Sequence, residues 1–565
     1  MQITYSTDAP SNGSIEKNRP IKWHTIDWRN IYRNVRRLQT RIMKAVKEGK
    51  GHKVRSLQRL LVRATSSKSL AVRRVTENQG KRTAGVDRET WNKPEKKEEG
   101  IKTLGMKSYK AKPLRRVYIP KKNGKKRPLG IPTMLDRAEQ ALHALALEPI
   151  AETTGDSHSY GFRKGRSIHD AIAQCFNVLS RRTSPQWILE ADIKACFDNI
   201  DHQWLLTHIP IDQRRLREWL KAGFIEKDTL FPTEEGTPQG GIISPILANM
   251  TLDGLQTLIA QVHPKGSKVH LIRYADDFII TAPDKSILER DILPLVRSFL
   301  QERGLTLSDE KTVITHIHDG FDFLGKTIRK FNDKLLIKPS KQSVHALLDK
   351  VRQFIKTEGR QLPAVGLIRS LNPIIKGWVH AHRHVVSKQT FAYVDFQIRH
   401  SLWRWAKRRH RDKSSSWIYH RYFKPHPAQR SQFHASDGNQ IYTLFLASSI
   451  PIRRFIKIRH LAHPFDPAWE SYFEQRLFTM TLDEIVRKPK FMTLWHRQLA
   501  TCPLCSQPLS LHDGVGWHVH HLVHKVNGGS DDLDNLLLLH PNCHQQLHHP
   551  DFNGHLPRLF GVRDA

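Results

Sequence analysis

The sequence contains no run of about 18 apolar residues, so no stretch has the length and character of a membrane-crossing helix. Cysteine is scarce: there are five in 565 residues, and Cys502, Cys505 and Cys543 fall within the last 70. That clustering excludes a disulfide framework and points to metal binding in a reducing compartment. Cys175 and Cys196 read as small apolar residues. The opening MQITYSTDAPSNGSIEKNRP lacks the basic start and apolar core of a secretion signal, and residues 1–22 read as a disordered tail. Acidic residues are under-represented, 54 against 91 Lys plus Arg, for a formal net charge of +37. A solvated basic surface alone would leave that self-repulsion uncompensated, so the composition implies a polyanionic partner, most simply nucleic acid. Internal repeats and long low-complexity segments are also lacking.

What remains is a chain with 39% apolar residues, enough for packed cores and too long for one. Three or more domains are expected. From Trp23 to about Gly80, Ile31, Val35, Leu38, Ile42 and Val46 recur at helical spacing with Arg and Lys opposite. KPLRRVYIPKKNGKKRPLGIP predicts a hairpin turning at Asn123-Gly124 with a basic tip, followed by a helix from Leu135 to about Glu148. QWILEADIKACF and VHLIRYADDFIITA are β-rich and carry acids among apolar neighbours. DKSILERDILPLVRSFLQERG predicts an amphipathic helix ending at Gly304, and residues 344–411 read as mostly helical. SLWRWAKRRHRDKSSSWIYHRYF interleaves cations with aromatics, a composition suited to stacking plus phosphate contact.

Asp276 and Asp277 occupy the predicted tip of a tight apolar hairpin. Adjacent carboxylates there are costly unless cations neutralise them. If the strand bearing Asp192 neighbours this hairpin, Asp192 and Asp276 could share two Mg²⁺ ions, an arrangement that serves nucleotidyl transfer. An isolated Asp-Asp pair would be read as a solvated turn. Near the C-terminus, Cys502-Pro-Leu-Cys505 and His540-Pro-Asn-Cys543 repeat one spacing 38 residues apart, the pattern of a closed, structural Cys3His zinc site. Pro541 suits the first turn of a helix on which His544 and His548 share a face, while Cys543 and His544 diverge by about 100° and can serve different ions.

The blocks KKRPLGIP, YGFRKGRS, ADIKACFD, TPQGGIISPILANM, YADD, GLTLSDEKT and FDFLG together resemble the reverse transcriptase/maturases encoded by bacterial group II introns. That resemblance implies a multidomain α+β protein: a right-hand polymerase with fingers and palm, a helical thumb/maturase domain and a C-terminal ββα-metal HNH module. The implied divisions are a helical RNA-binding extension at 23–95, fingers and palm at 96–335, thumb/maturase at 336–450, a DNA-binding region at 451–498 and the endonuclease with its zinc at 499–565. By motif, Asp192, Asp276 and Asp277 match the catalytic, Mg²⁺-binding carboxylates. Phe197 matches the aromatic that rejects a 2′-hydroxyl, and Gln239 the glutamine at the incoming nucleotide. Arg127 and Arg163 are implied triphosphate contacts, with general RNA binding as the alternative. FDFLGKTI matches the primer grip, although Lys326 stands where an apolar residue is frequent.

His520-His521, Asn535, His544 and His548 resemble the HNH endonucleases. The resemblance implies His520, His544 and His548 as ligands of one divalent cation, Mg²⁺ or similar. It makes His521 the general base and Asn535 the residue that orients the base-bearing loop. Two other readings stand beside it: a purely structural zinc finger, or a zinc site that takes His544 in place of His540. His518, His524 and His549 read as surface or phosphate contacts. The implied partners are intron RNA, target double-stranded DNA and dNTPs, with no membrane and with monomer or dimer open. The implied setting is bacterial, cytoplasmic and nucleoid-associated. A splicing factor with relic enzyme sites and a reverse transcriptase serving defence are the alternative functions.

Overall fold

The computed structural model describes residues 22–120, 126–227, 229–237, 240–264, 266–426, 429–485, 489–510, 516–550 and 552. Internal contacts divide the chain into two compact units. One comprises Met1–Thr153, Ile209–Ile246 and His463–Ala565, and the other Thr154–His208 and Leu247–Ala462. No described helix is long and apolar enough to cross a membrane.

The first unit begins with helices Trp28–Lys47, Gly51–Arg63 and Thr65–Glu77. Asp27 caps the first by accepting from the Asn30 N–H, satisfying an otherwise orphaned donor. Its apolar stripe behaves as the periodicity predicts: Val35, Leu38 and Ile42 are buried, with Ile31 and Val46 half-buried at its ends. The basic hairpin forms from Leu114–Pro120 and Lys126–Ile131, paired antiparallel. Its Asn123-Gly124 turn lies outside the described residues. The following helix runs from Met134 to Thr154, past Pro149 and beyond the predicted end near Glu148. A proline removes one helical hydrogen bond. Here Ile150 and Glu152 are still buried, so packing carries the helix through it.

The second unit is built on an antiparallel sheet in the order His270–Tyr274, Asp277–Ala282, Trp187–Asp192, Val313–His316. The predicted amphipathic helix spans Lys285 to Gln301 with a π turn at Leu288–Ile292, just ahead of Pro294. Gly304 follows at φ 73°. Strands Phe321–Phe323, Lys326–Phe331 and Lys334–Pro339 form a second sheet. Helices Lys341–Lys356, Ala364–His382, Lys388–Arg409 and Ser415–Tyr422 come next, sharing a core through Leu347, Val351, Leu371, Ile398 and Trp405. The stretch 336–450, expected to be helical, is not so throughout. Phe423–His426, Gln429–Asp437 and Gln440–Thr443 make a three-stranded meander. Its polar sequence carries little period-two hydrophobic signal, so pairing rather than patterning defines those strands.

Candidate active sites and metal centre

The four-stranded antiparallel sheet brings the separated acidic motifs together. Strand Trp187–Asp192 pairs with Asp277–Ala282 in a register that sets Asp192 opposite Asp277. Asp276 sits in the adjoining turn, between Tyr274 and Asp277, which pair with each other. The condition left open by the sequence, that these strands be neighbours, is therefore met. Desolvation at this turn, then the charges of Asp276 and Asp192, push the Asp277 carboxyl up to about 6, with Lys311 opposing. The neutralising cation is Lys311, whose Nζ donates to Asp192 Oδ2 at 2.6 Å. Backbone bonds Ser308 N to Asp192 O and Lys194 N to Thr306 O hold that lysine's loop against the strand. Nothing in the linear SDEKT block marks Lys311 as the partner of an aspartate 119 positions away.

Residues from neighbouring segments brace the turn. Ala275 adopts φ 57°, and the segment before Gly161 runs alongside, with Tyr160 N donating to Arg273 O and Arg273 N to His158 O. A Cβ at Gly161 would lie 2.4 Å from the Ala275 nitrogen and 2.9 Å from the Tyr274 carbonyl carbon, so only glycine permits this approach. Asn249 Nδ2 donates to Gly161 O at 2.8 Å, and Arg273 Nη1 donates to Asn249 Oδ1 at 3.3 Å. The fully buried Arg273 also pairs with Asp253, with Asp156 4.0 Å away. None of these bracing residues was distinguishable in the sequence from ordinary neighbours of the motifs.

The remaining polymerase candidates are placed unevenly. Phe197 is half-buried in the short turn after Asp192, and the exposed Phe162 meets it edge-on at 6.4 Å. Arg163, next to Phe162, donates to the carbonyls of Asp156 and Ser159 in its own loop. Arg127 is exposed on its hairpin strand in the other unit. Gln239 lies outside the described residues, although Gly240 abuts the Gly130 carbonyl at a spacing that leaves no room for a Cβ. Lys326 is buried at 2% exposure, and desolvation lowers its ammonium to about 8.

The C-terminal module is a ββα unit. Strand His518–His521 pairs antiparallel with Leu536–Leu539, and helix Pro541–Leu547 follows with Pro541 in its first turn. Two donor clusters form, with the ligand atoms of each within 4.8 Å of one another: Cys502, Cys505, His540 and Cys543, and separately His520, His544 and His548. The thiol cluster gathers His540, not His544.

Its donors fit a tetrahedral ion, since Zn–S bonds of ~2.3 Å place sulfurs roughly 3.8 Å apart. Hydrogen bonds from Cys505 and Cys543 hold the Cys502 sulfur toward thiolate. His540 turns Nδ1 to Cys505 Sγ at 3.4 Å and Nε2 to the Pro508 carbonyl at 3.2 Å, an outer contact that fixes the ring. In the second cluster His520 Nδ1 and His548 Nε2 are 3.2 Å apart, close to the separation that two nitrogens on one ion would have. Burial, then neighbouring imidazoles, lowers His520 and His544 to about 4, keeping both neutral as ligation requires. His518 and His524, expected as surface or phosphate contacts, crowd the same cluster, 5.2 Å from His544 and 4.9 Å from His548 between ring centres.

His521 stands apart from both clusters, with Nε2 2.8 Å from Asp531 Oδ1. That carboxylate, held down to about 2 by hydrogen bonds with His521 and Lys525, leaves Nδ1 to accept a proton. The sequence does not single out Asp531, because GGSDDLDN offers several equivalent acids. Asn535 spans the loop: its Oδ1 accepts from Val523 N, and its Nδ2 donates to the Val523 and Ser530 carbonyls.

Four consecutive stretches match known family models. These are the N-terminal domain of reverse transcriptase at 23–104, reverse transcriptase (RNA-dependent DNA polymerase) at 119–328, the group II intron maturase-specific domain at 344–423 and HNH endonuclease at 502–550. The chain belongs to the group II intron-encoded reverse transcriptase/maturases with an HNH domain. Protein YkfC of Escherichia coli is 34% identical to this intron-encoded protein, over 39% of this chain and 68% of its own. Group II intron-encoded protein LtrA of Lactococcus lactis subsp. cremoris is 31% identical over 51% of this chain. The chain spans 60% of LtrA's length. An apo telomerase from Candida tropicalis overlaps 52% of this chain and 61% of its own at a TM-score of 0.35 and 15% identity, too distant in shape to add to the assignment. In this intron-encoded protein the maturase match ends at 423, where the helices give way to the three-stranded meander.

Proposed function

We propose that this protein binds its intron RNA to assist splicing, nicks one strand of target DNA with the HNH module, and extends the new 3′-hydroxyl by copying RNA. The observation that carries this reading is the strand register that sets Asp192 against the Asp276-Asp277 turn, in a chain that also holds the His521–Asp531 pair. In the polymerase, Asp192 and Asp276 would hold divalent cations, with Asp277 beside them. Two Mg²⁺ ions there would lower the pKa of the primer hydroxyl and neutralise the departing pyrophosphate. Lys311 donates to Asp192 beside the turn, and Phe197 closes the space a 2′-hydroxyl would need. Arg127, Arg163 and Gln239 contact the incoming dNTP.

At the nuclease, His521 Nδ1 takes a proton from the attacking water. The resulting hydroxide bonds to phosphorus, the scissile P–O3′ bond breaks, and the departing 3′ oxygen takes a proton from solvent to give the 3′-hydroxyl that the polymerase requires. A divalent cation on His520, His544 and His548 would stabilise the pentavalent phosphorus and the leaving oxygen. Cys502, Cys505, His540 and Cys543 hold a structural Zn²⁺. The basic, aromatic-bearing helix Lys388–Arg409 contributes to the RNA surface, and residues 451–498 contribute to holding DNA. The protein acts in the bacterial cytoplasm, at the nucleoid.

The test is primer extension on an RNA template together with nicking of duplex DNA, comparing wild type, Asp276→Ala and His521→Ala. Asp276→Ala is expected to lose extension and keep nicking, and His521→Ala the reverse. A wild type that extends no primer yet restores splicing of its intron would identify a splicing factor and overturn the polymerase assignment.

A further inference from the structure

Within the first unit, the C-terminal module and the N-terminal helices share one hydrophobic core. Trp23, Trp28, Ala71, Val72 and Val75 pack in the same cluster as Cys502, Cys505, Leu538 and Cys543. Polar contacts reinforce it. Trp23 Nε1 donates to Asn542 Oδ1 at 2.9 Å, Gln546 Nε2 to the Ile26 carbonyl at 2.8 Å, and the His24 and His549 rings stack at 3.9 Å.

One contact reaches the metal-binding cluster itself. Arg73, on helix Thr65–Glu77, is 2% exposed and directs Nη2 to Cys543 Sγ at 3.5 Å. Its Nε donates to Glu77 at 3.1 Å, and its guanidinium lies 4.6 Å from the Trp28 ring centre. A buried guanidinium against a sulfur is costly unless that sulfur carries negative charge. Three thiolates and a neutral imidazole around Zn²⁺ leave one net negative charge, and Glu77 alone leaves the cation's contact with sulfur unexplained.

We propose that Arg73 is part of the zinc centre: it balances the thiolate charge from the N-terminal extension, so that metal loading clamps the RNA-binding helices to the nuclease module. This rests on the zinc reading of the Cys3His cluster. Arg73 touches no substrate and acts as a positioning residue. Its effect falls on how long the metal stays bound and on how firmly helix Thr65–Glu77 is held.

The experiment uses the full-length protein, with metal content measured first and zinc release to a chromogenic chelator followed in time. Arg73→Met is expected to release zinc ~10–100-fold faster than wild type, the usual effect of losing an outer-shell partner. Arg74→Met serves as the control, since Arg74 is half exposed and pairs with Glu148, not with sulfur. It is expected to release zinc at the wild-type rate. Equal rates for Arg73→Met and wild type would overturn the inference while leaving the zinc site intact. Wild-type protein that holds no zinc would instead remove the site and the inference together. Should Arg73→Met fail to fold, hydrogen exchange on wild type decides. Stripping zinc is expected to accelerate exchange across residues 65–77, and unchanged exchange there would overturn the coupling.

Discussion

Gly161→Ala isolates how tightly the polymerase turn is built. The added methyl carbon would sit 2.4 Å from the Ala275 nitrogen, 2.9 Å from the Tyr274 carbonyl carbon and 3.0 Å from the Ala275 Cβ. Those are mostly backbone atoms, so no side-chain rotation relieves the contact. Restoring ordinary van der Waals separation requires a shift of roughly 1 Å, and a misplacement of that size near reacting groups costs on the order of 100-fold in rate. Overpacking of this kind also destabilises by about 1–3 kcal/mol. The turn that moves carries Asp276, while the Asn249–Gly161 and Arg273–Asn249 hydrogen bonds resist movement on the other side. Single-turnover extension of a primer on RNA should therefore slow by about two orders of magnitude. Nicking by the C-terminal module in the same preparation should stay at the wild-type rate and so report intact folding. Full extension activity in Gly161→Ala would refute the argument that the turn's position is fixed by backbone contact.

Lys326→Met tests the buried cation. Its folded pKa of about 8 lies below the usual value of 10.5, so the folded state pays a penalty for the charge at every pH below about 8. Replacing it should stabilise the fold at pH 7 by up to roughly 3 kcal/mol, and the gain should fade as pH rises from about 8 to 10.5. Urea melts at pH 7 and pH 10.5 check the sign, and a variant less stable at pH 7 would show that burial is not what lowers this lysine. Asn535→Ala removes three hydrogen bonds that tie Val523 and Ser530 across the His521 loop. Nicking should fall by roughly 10–100-fold with metal content unchanged, and loss of the metal instead would place Asn535 in support of the ligands.

The sequence determined the chemistry by itself. The order of the motif blocks, the paired aspartates, and the CxxC and HxxC spacing are local patterns, and local patterns survive in a linear reading. Helical periodicity was equally legible from Trp28 to Lys47, where one stripe of the helix, Val35, Leu38 and Ile42, is buried. Only the tertiary structure decided which distant groups meet. Lys311 became the partner of Asp192 and Gly161 the floor of the YADD turn because strand pairing and loop packing join residues far apart in the chain, while the fold of one short loop chose Asp531 for His521 from several nearby acids. His540 and His544, both possible zinc ligands by spacing, were separated by where the helix Pro541–Leu547 starts, which rotates one toward the thiols and the other toward His520. Arg73 lies 470 positions from Cys543, and no spacing rule connects them. A shared hydrophobic core does, because burying apolar surface is indifferent to sequence distance.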